Sequence, residues 1–164
     1  MNERKQGAVD RFRAEAAARR VGELDIREFP EGTRTAADAA RAIGCEVGQI
    51  VKSVVLMADG RPLIALTSGA NRADTAKIAG LVGAAEVRKA DAAEAREATG
   101  FAIGGTPPFG HPRKLRVLMD RDLLGYEEVW AAAGTPTTVF PIAPVDLERA
   151  AEAEVADVKG WDSR

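Results

Sequence analysis

Residues 47–68 constrain the fold more than any other stretch. An apolar run from Val47 to Met57 meets Ala58-Asp59-Gly60-Arg61, and Pro62 to Ser68 brings the chain back. Asp-Gly between two apolar runs is the favoured composition of a two-residue hairpin turn, whose central residues take left-handed backbone. Side chains alternate across a strand. Ile50, Lys52, Val54 and Leu56 therefore share one face, and Val51, Ser53, Val55 and Met57 the other. Lys52 is the one charge in an aliphatic row. Such a lysine either snorkels to the sheet edge or projects into a cavity, and periodicity leaves both readings open.

The flanking chain supplies mixed elements. Residues 4–20 read as a helix with Val9, Phe12, Ala16 and Val21 on one side. Asp25 to Phe29 reads as a short strand stopped by Pro30-Glu31-Gly32. Thr35-Ala36-Ala37-Asp38 has capping-box spacing, and the helix it opens ends at Gly44. Further helices are expected over Ala73 to Leu81, Asp91 to Thr99 and Pro144 to Ala151, the last with proline in its first turn. Further strands are expected over Ala84 to Arg88, Lys114 to Met119, Glu127 to Ala132 and Thr137 to Ile142. Helices and strands are mixed without strict alternation. That favours a mixed-sheet α+β domain over a doubly wound one, with residues 1–164 as one domain.

A second unusual stretch is Gly100-Phe101-Ala102-Ile103-Gly104-Gly105-Thr106-Pro107-Pro108-Phe109-Gly110-His111. Its glycines permit close backbone approach, and its prolines stiffen it and remove donors. Such a loop suits the rim of a small-ligand pocket, which Lys52 would share. It is not a P-loop, because His111-Pro112 stands where Lys-Ser/Thr is required. It is not a dinucleotide fingerprint either, since the GxGxxG order is absent. The plain alternative is a structural turn. His111 has the pKa range of a general base, but Pro112 holds it extended and no acid lies nearby in sequence, so a rim contact or an ordinary loop residue is the simpler reading. Cys45 follows a helix-ending glycine and has no feature of a nucleophile. Arg113, Lys114 and Arg116 form a small basic patch that could meet phosphate or simply face solvent.

Composition narrows the classes. Among 164 residues, 46% are hydrophobic, which argues for a packed core. Lys+Arg number 23 and Asp+Glu 25, a formal charge of −2. A general nucleic-acid coat would be basic, so any nucleic-acid contact must be local. One cysteine and one histidine cannot build a metal cluster. No run approaches about 18 apolar residues, and Met1 to Lys5 precede no signal core. The expectation is a cytoplasmic protein without membrane association and without a metal or organic cofactor.

The ordered set resembles the YbaK/EbsC-type aminoacyl-tRNA editing family, also found as an inserted editing domain in prolyl-tRNA synthetases. The resemblance begins with the capped helix at Thr35 and continues through Gln49-Ile50-Val51-Lys52-Ser53-Val54-Val55, similar to the family's strand with its hallmark lysine. It runs through the Asp-Gly hairpin and the loop and helix from Gly69 to Leu81. It peaks at Thr99 to Gly110, which resembles the GxxxP loop, and closes over Gly134 to Leu147. One departure is Thr106-Pro107, where many members carry a small residue then serine.

The resemblance implies a mixed, barrel-like β-sheet core flanked by helices. It implies hydrolysis of the ester of a mischarged tRNA carrying a small amino acid, by a freestanding protein acting in trans. The partners are then the 3′ end of the aminoacyl-tRNA and, for tRNA selection, an aminoacyl-tRNA synthetase. Lys52 would bring positive charge to the ester, terminal phosphate or ribose. Gly104 and Gly105 would offer backbone groups to substrate and water. Thr106, Pro107, Pro108 and Phe109 would shape the amino-acid pocket, with His111 and Phe29 as further substrate contacts. The competing class is a non-catalytic module of the same fold that binds a tRNA end or a protein.

Overall fold

The computed structural model describes residues 3–29 and 35–160. The expected turn at Pro30-Glu31-Gly32 lies outside them. Helix α1 (Glu3–Ala18) and strand β1 (Arg27–Glu28) lead to α2 (Ala36–Ile43), β2 (Val51–Ala58) and β3 (Arg61–Ser68). Then come α3 (Thr75–Val82), β4 (Val87–Lys89), α4 (Ala92–Thr99) and β5 (Arg116–Asp120). The chain closes with β6 (Val129–Ala132), β7 (Thr138–Ile142), α5 (Pro144–Ala151) and β8 (Glu154–Ala156).

Local chemistry explains the boundaries. The Thr35 hydroxyl accepts from the Asp38 amide at 3.0 Å, and Gly44 ends α2 in left-handed backbone. Asp91 and Glu94 form a reciprocal capping box on α4. The strand expected from Val47 begins late, because residues Val47–Gln49 coil into a 3-10 turn. There the Gln49 side chain accepts from the Glu46 amide at 2.9 Å and donates to the Glu128 carbonyl at 2.9 Å.

Five strands form one sheet in the order β4-β2-β3-β5-β8, and three form another in the order β1-β7-β6. The hairpin pairs Ala58 with Arg61 and Lys52 with Thr67. β3–β5 and β5–β8 are parallel. The expected barrel-like closure is corrected here: the sheets do not close. A barrel needs each strand paired on both sides. Among the described residues, β4 and β8 are the edges of the larger sheet, and one isolated parallel bridge, Ile50 to Trp130, joins the two sheets.

Strand alternation sorts the core. Val51, Val55, Ile64, Leu66, Val117 and Met119 pack on one face with Phe12 of α1 and Phe140 of β7. Leu56, Leu63, Ala65 and Leu118 pack on the other with Ile78 of α3. Ala39 and Ala40 of α2 meet Ile50, Trp130 and Val139 in a smaller cluster. Burying such a side chain is worth about 1.5–3 kcal/mol, so the alternating hairpin fixes both which way β2 faces and where its edge lies.

Candidate active site

β3 covers β2 along its whole length, but β4 pairs with β2 only opposite Leu56, Met57 and Ala58. The N-terminal half of β2 is therefore open on that side. Ala58 and Arg61 close a two-residue turn, so residues at even positions aim their main-chain groups at β3. Val51, Ser53 and Val55 aim theirs at the open side, and the Val55 carbonyl accepts there from the Ala90 amide at 3.0 Å. Along this edge, between β2, β6, β7 and the glycine-proline loop, runs a cleft of about 320 Å³. Ile103, Trp130, Ala131 and Val139 give it apolar walls, and Lys52, Ser53, Lys89, Thr106 and Thr138 also line it.

Lys52 is half-buried at this cleft, and its Nζ donates to the main-chain carbonyl of Asn71 at 2.6 Å. Burial, then the like charges of Lys89 and Arg72, push its pKa below the ordinary lysine value, and Asp120 opposes them. Asn71 is itself held: its Nδ2 donates to Asp120 Oδ2 at 2.9 Å and to Asp122 Oδ2 at 2.8 Å. Asp120 is buried and also accepts from the Ser68 amide at 3.0 Å. The adjoining loop is pinned from the far end of the chain. The Asp74 amide donates to the Val158 carbonyl at 2.8 Å and the Gly160 amide to the Arg72 carbonyl at 3.0 Å. Lys159 Nζ reaches Asp122 Oδ2 at 2.9 Å.

The glycine-proline loop splits between two environments. Gly104 and Thr106 line the cleft with Lys52. Gly104 has φ +88°, with room beside it, since an added Cβ would come no nearer than 3.8 Å to Pro136. Gly105 lies against the main chain of Thr135, where a Cβ would meet Cα and C at 2.7 Å. Its amide is committed to the Ala102 carbonyl at 3.0 Å, so it serves the turn rather than the cleft. The Thr106 hydroxyl is likewise committed, donating to Ala102 at 3.1 Å.

Pro107 and Pro108 are buried and do not line the cleft. Phe109 turns into the core, its ring 5.0 Å from Phe12 and 6.1 Å from Phe140. His111 lines a different cavity with Glu15, Arg19 and Arg149, and its Nε2 donates to the Pro107 carbonyl at 2.8 Å. Phe29 packs on the α2–Trp130 cluster, outside the cleft. The loop thus passes from cleft to core within a few residues, because the two prolines and Phe109 bury apolar surface that a wet cleft would expose.

Sequence reasoning missed Asn71, Asp120, Ser53 and the Trp130 wall. Asp120-Arg121-Asp122 reads as a turn, and a turn it is: Asp120 caps the 3-10 segment Arg121–Gly125. Its second carboxylate oxygen faces Asn71, which no local pattern reveals.

A lysine-bearing, partly apolar cleft on an open strand edge, between two unclosed sheets, has the size of a small-ligand site rather than of a groove for duplex nucleic acid. The model of the aminoacyl-tRNA editing domain matches residues 30–150, and the chain belongs to that family. It is a hydrolase of the aminoacyl-tRNA ester, a deacylase. The uncharacterized protein YwhH of Bacillus subtilis is 29% identical over 143 residues, 85% of this chain and 90% of that one. A proline–tRNA ligase of Citrifermentans bemidjiense is 31% identical over 107 residues, 65% of this chain and 19% of the ligase. The chain therefore spans about a fifth of the length of that relative. A solved structure described as a candidate trans-editing enzyme for prolyl tRNA synthetase superposes with a TM-score of 0.89 at 47% identity. The match covers 94% of this chain and 98% of that one. Among the described residues, no helix is long and apolar enough to cross a membrane.

Proposed function

We propose that residues 1–164 act as one freestanding editing unit that hydrolyses the aminoacyl ester of a tRNA of the proline type mischarged with a small amino acid. The observation that carries this reading is the pairing of Lys52 with a cleft of about 320 Å³ whose walls are mostly apolar. That volume has room for an aminoacyl group and the ribose that carries it. The family relationship to prolyl-tRNA ligases and to the trans-editing structure supports the choice of tRNA.

The aminoacyl ester is already activated, so no strong protein nucleophile is required. Water, which the neighbouring ribose hydroxyl can orient and relieve of a proton, attacks the carbonyl carbon. The ester C–O bond then breaks, the leaving ribose oxygen takes up a proton, and the amino acid departs. Negative charge gathers on the carbonyl oxygen in the transition state. The Lys52 ammonium, released from Asn71 to the substrate, is the group suited to meet it, and one oriented donor of this kind is worth about 10²–10³ in rate. Gly104 lets the main chain approach the aminoacyl group closely. A second hydrolytic site has a physical reason. An apolar synthetase pocket rejects a smaller side chain only about 10–200-fold.

The test is deacylation of a panel of labelled mischarged tRNAs, wild type beside Lys52→Ala. Lysine-dependent release from one or two members is expected and names the amino acid. Silence on every member, with both proteins folded, leaves the non-catalytic binding module in its place.

A further inference from the structure

Ser53 follows Lys52 on β2 and faces the opposite side of the strand. It lines the cleft. Its Oγ is buried and has no hydrogen-bond partner, one of only two such side-chain atoms among the described residues. A buried hydroxyl without a partner is a liability that a folded protein rarely keeps. Thr106 and Thr138, the other hydroxyls in the lining, are both engaged with neighbouring oxygens of the protein. The main-chain N–H and C=O of Ser53 also point to the open side of β2, where β4 no longer pairs.

The charge of the cleft says what this acceptor is for. Lys52 and Lys89 line it, and no Asp or Glu does. An aminoacyl ester brings its own α-ammonium, a third cation. With no carboxylate at hand, neutral acceptors must take that group. We propose that Ser53 is a substrate-binding and specificity residue, its hydroxyl and carbonyl accepting hydrogen bonds from the α-ammonium of the aminoacyl group. The inference rests on the deacylase reading above. A hydroxyl rotates among staggered positions, so Oγ can turn to the ligand without moving β2. Holding the ammonium at Ser53 keeps it apart from Lys52, on the opposite face of the strand, and leaves the lysine for the carbonyl oxygen.

The experiment compares wild type, Ser53→Ala and Ser53→Thr on each aminoacyl-tRNA that wild type cleaves. Each is paired with the acyl-tRNA of the same carbon skeleton lacking the α-amino group, propionyl beside alanyl for instance. Ser53→Ala is expected to lose about tenfold or more in kcat/KM on the aminoacyl substrate and almost nothing on the deamino one. Ser53→Thr, which keeps the hydroxyl, should retain the preference for the amino group. The melting temperature of Ser53→Ala should equal or exceed that of wild type, because an unpaired buried group is removed; a purely structural serine would lower it. Equal losses on both substrates, or none on either, overturn the assignment while the deacylase reading stands. A wild type that cleaves no aminoacyl-tRNA overturns both.

Discussion

Lys52 Nζ and the Asn71 carbonyl lie 2.6 Å apart, so the one lysine in the apolar hairpin is neither a free snorkelling side chain nor an ion-paired one. It keeps its charge on a neutral acceptor, with Asp120 exerting an attraction from behind Asn71. A neutral acceptor gives up the lysine to a substrate more readily than a carboxylate would, because there is less Coulomb energy to lose.

Replacing Lys52 should therefore cost activity and not stability. The pKa is lowered on folding, so between the lowered value and the ordinary 10.5 the unfolded chain binds more protons than the native one. Stability rises with pH across that window, and below it the charge is a burden to the fold. At neutral pH, Lys52→Met should melt at or above the wild-type temperature while deacylation falls by about 10²–10³. Wild-type activity, corrected for spontaneous ester hydrolysis, should decline as pH rises through the lowered lysine value. A marked drop in the melting temperature of Lys52→Met would make the lysine structural.

The carboxylate behind the site should behave in the opposite way. Asp120 is buried and accepts from the Ser68 amide and the Asn71 side chain. Hydrogen bonds to a charged group contribute about 1.5–3 kcal/mol, so Asp120→Ala should lose at least that much in denaturant unfolding. Asn71→Ala is the milder probe. It frees the loop that presents the carbonyl, and kcat should fall by about tenfold or more through misplacement of Lys52, with KM little changed.

Gly104 and Gly105 should separate in mutagenesis although they are neighbours. Gly105→Ala drives a Cβ into the Thr135 main chain at 2.7 Å, and backbone cannot swing aside. Gly104→Ala meets nothing nearer than 3.8 Å and suffers only its φ of +88°, about 1–2 kcal/mol for left-handed backbone. Thermal melts should rank Gly105→Ala well below Gly104→Ala. The reverse order would mean that the 104–106 turn is misassigned.

His111 should matter to acid stability and not to catalysis. Burial lowers its pKa, against the bond to Pro107, with Arg19 adding to the fall. Below 6.5 the unfolded chain takes up the proton first, so stability is lost as pH falls from there through the lowered value. His111→Gln should lack this part of the acid limb in melts taken across pH. Its kcat/KM should stay within about twofold of wild type, whereas a proton-transfer role would cost about 10²–10⁴.

The hairpin was legible because three local signals agree: alternation, the Asp-Gly turn and β-branched composition. The helix starts at Thr35, Asp91 and Pro144 were legible for the same reason, since each is decided within four residues. Lys52 stood out as a charge in an apolar row, but periodicity could not choose between an edge and a cavity. That choice depends on where β4 stops, at Lys89 opposite Leu56, and on Asn71, whose relation to Lys52 is set by the β2–β3 pairing. The glycine-proline loop was legible as a rim only in part. Phe109 is as apolar as Ile103, yet Phe109 enters the core while Ile103 lines the cleft. Only the positions of Phe12 and Phe140, far away in the chain, decide that. Open sheets rather than a barrel were illegible altogether, because closure is a matter of strands that do not meet.

The clasp formed by residues 158–160 on the loop after Asn71 sets an order in time. Ribosomes deliver chains from the amino terminus, and domains fold as their parts emerge. The hairpin with Lys52 is made well before the segment that pins its acceptor loop, because residues 158–160 follow residues 71–74 at long range in the sequence. A nascent chain thus carries the lysine without the fixed partner that orients it.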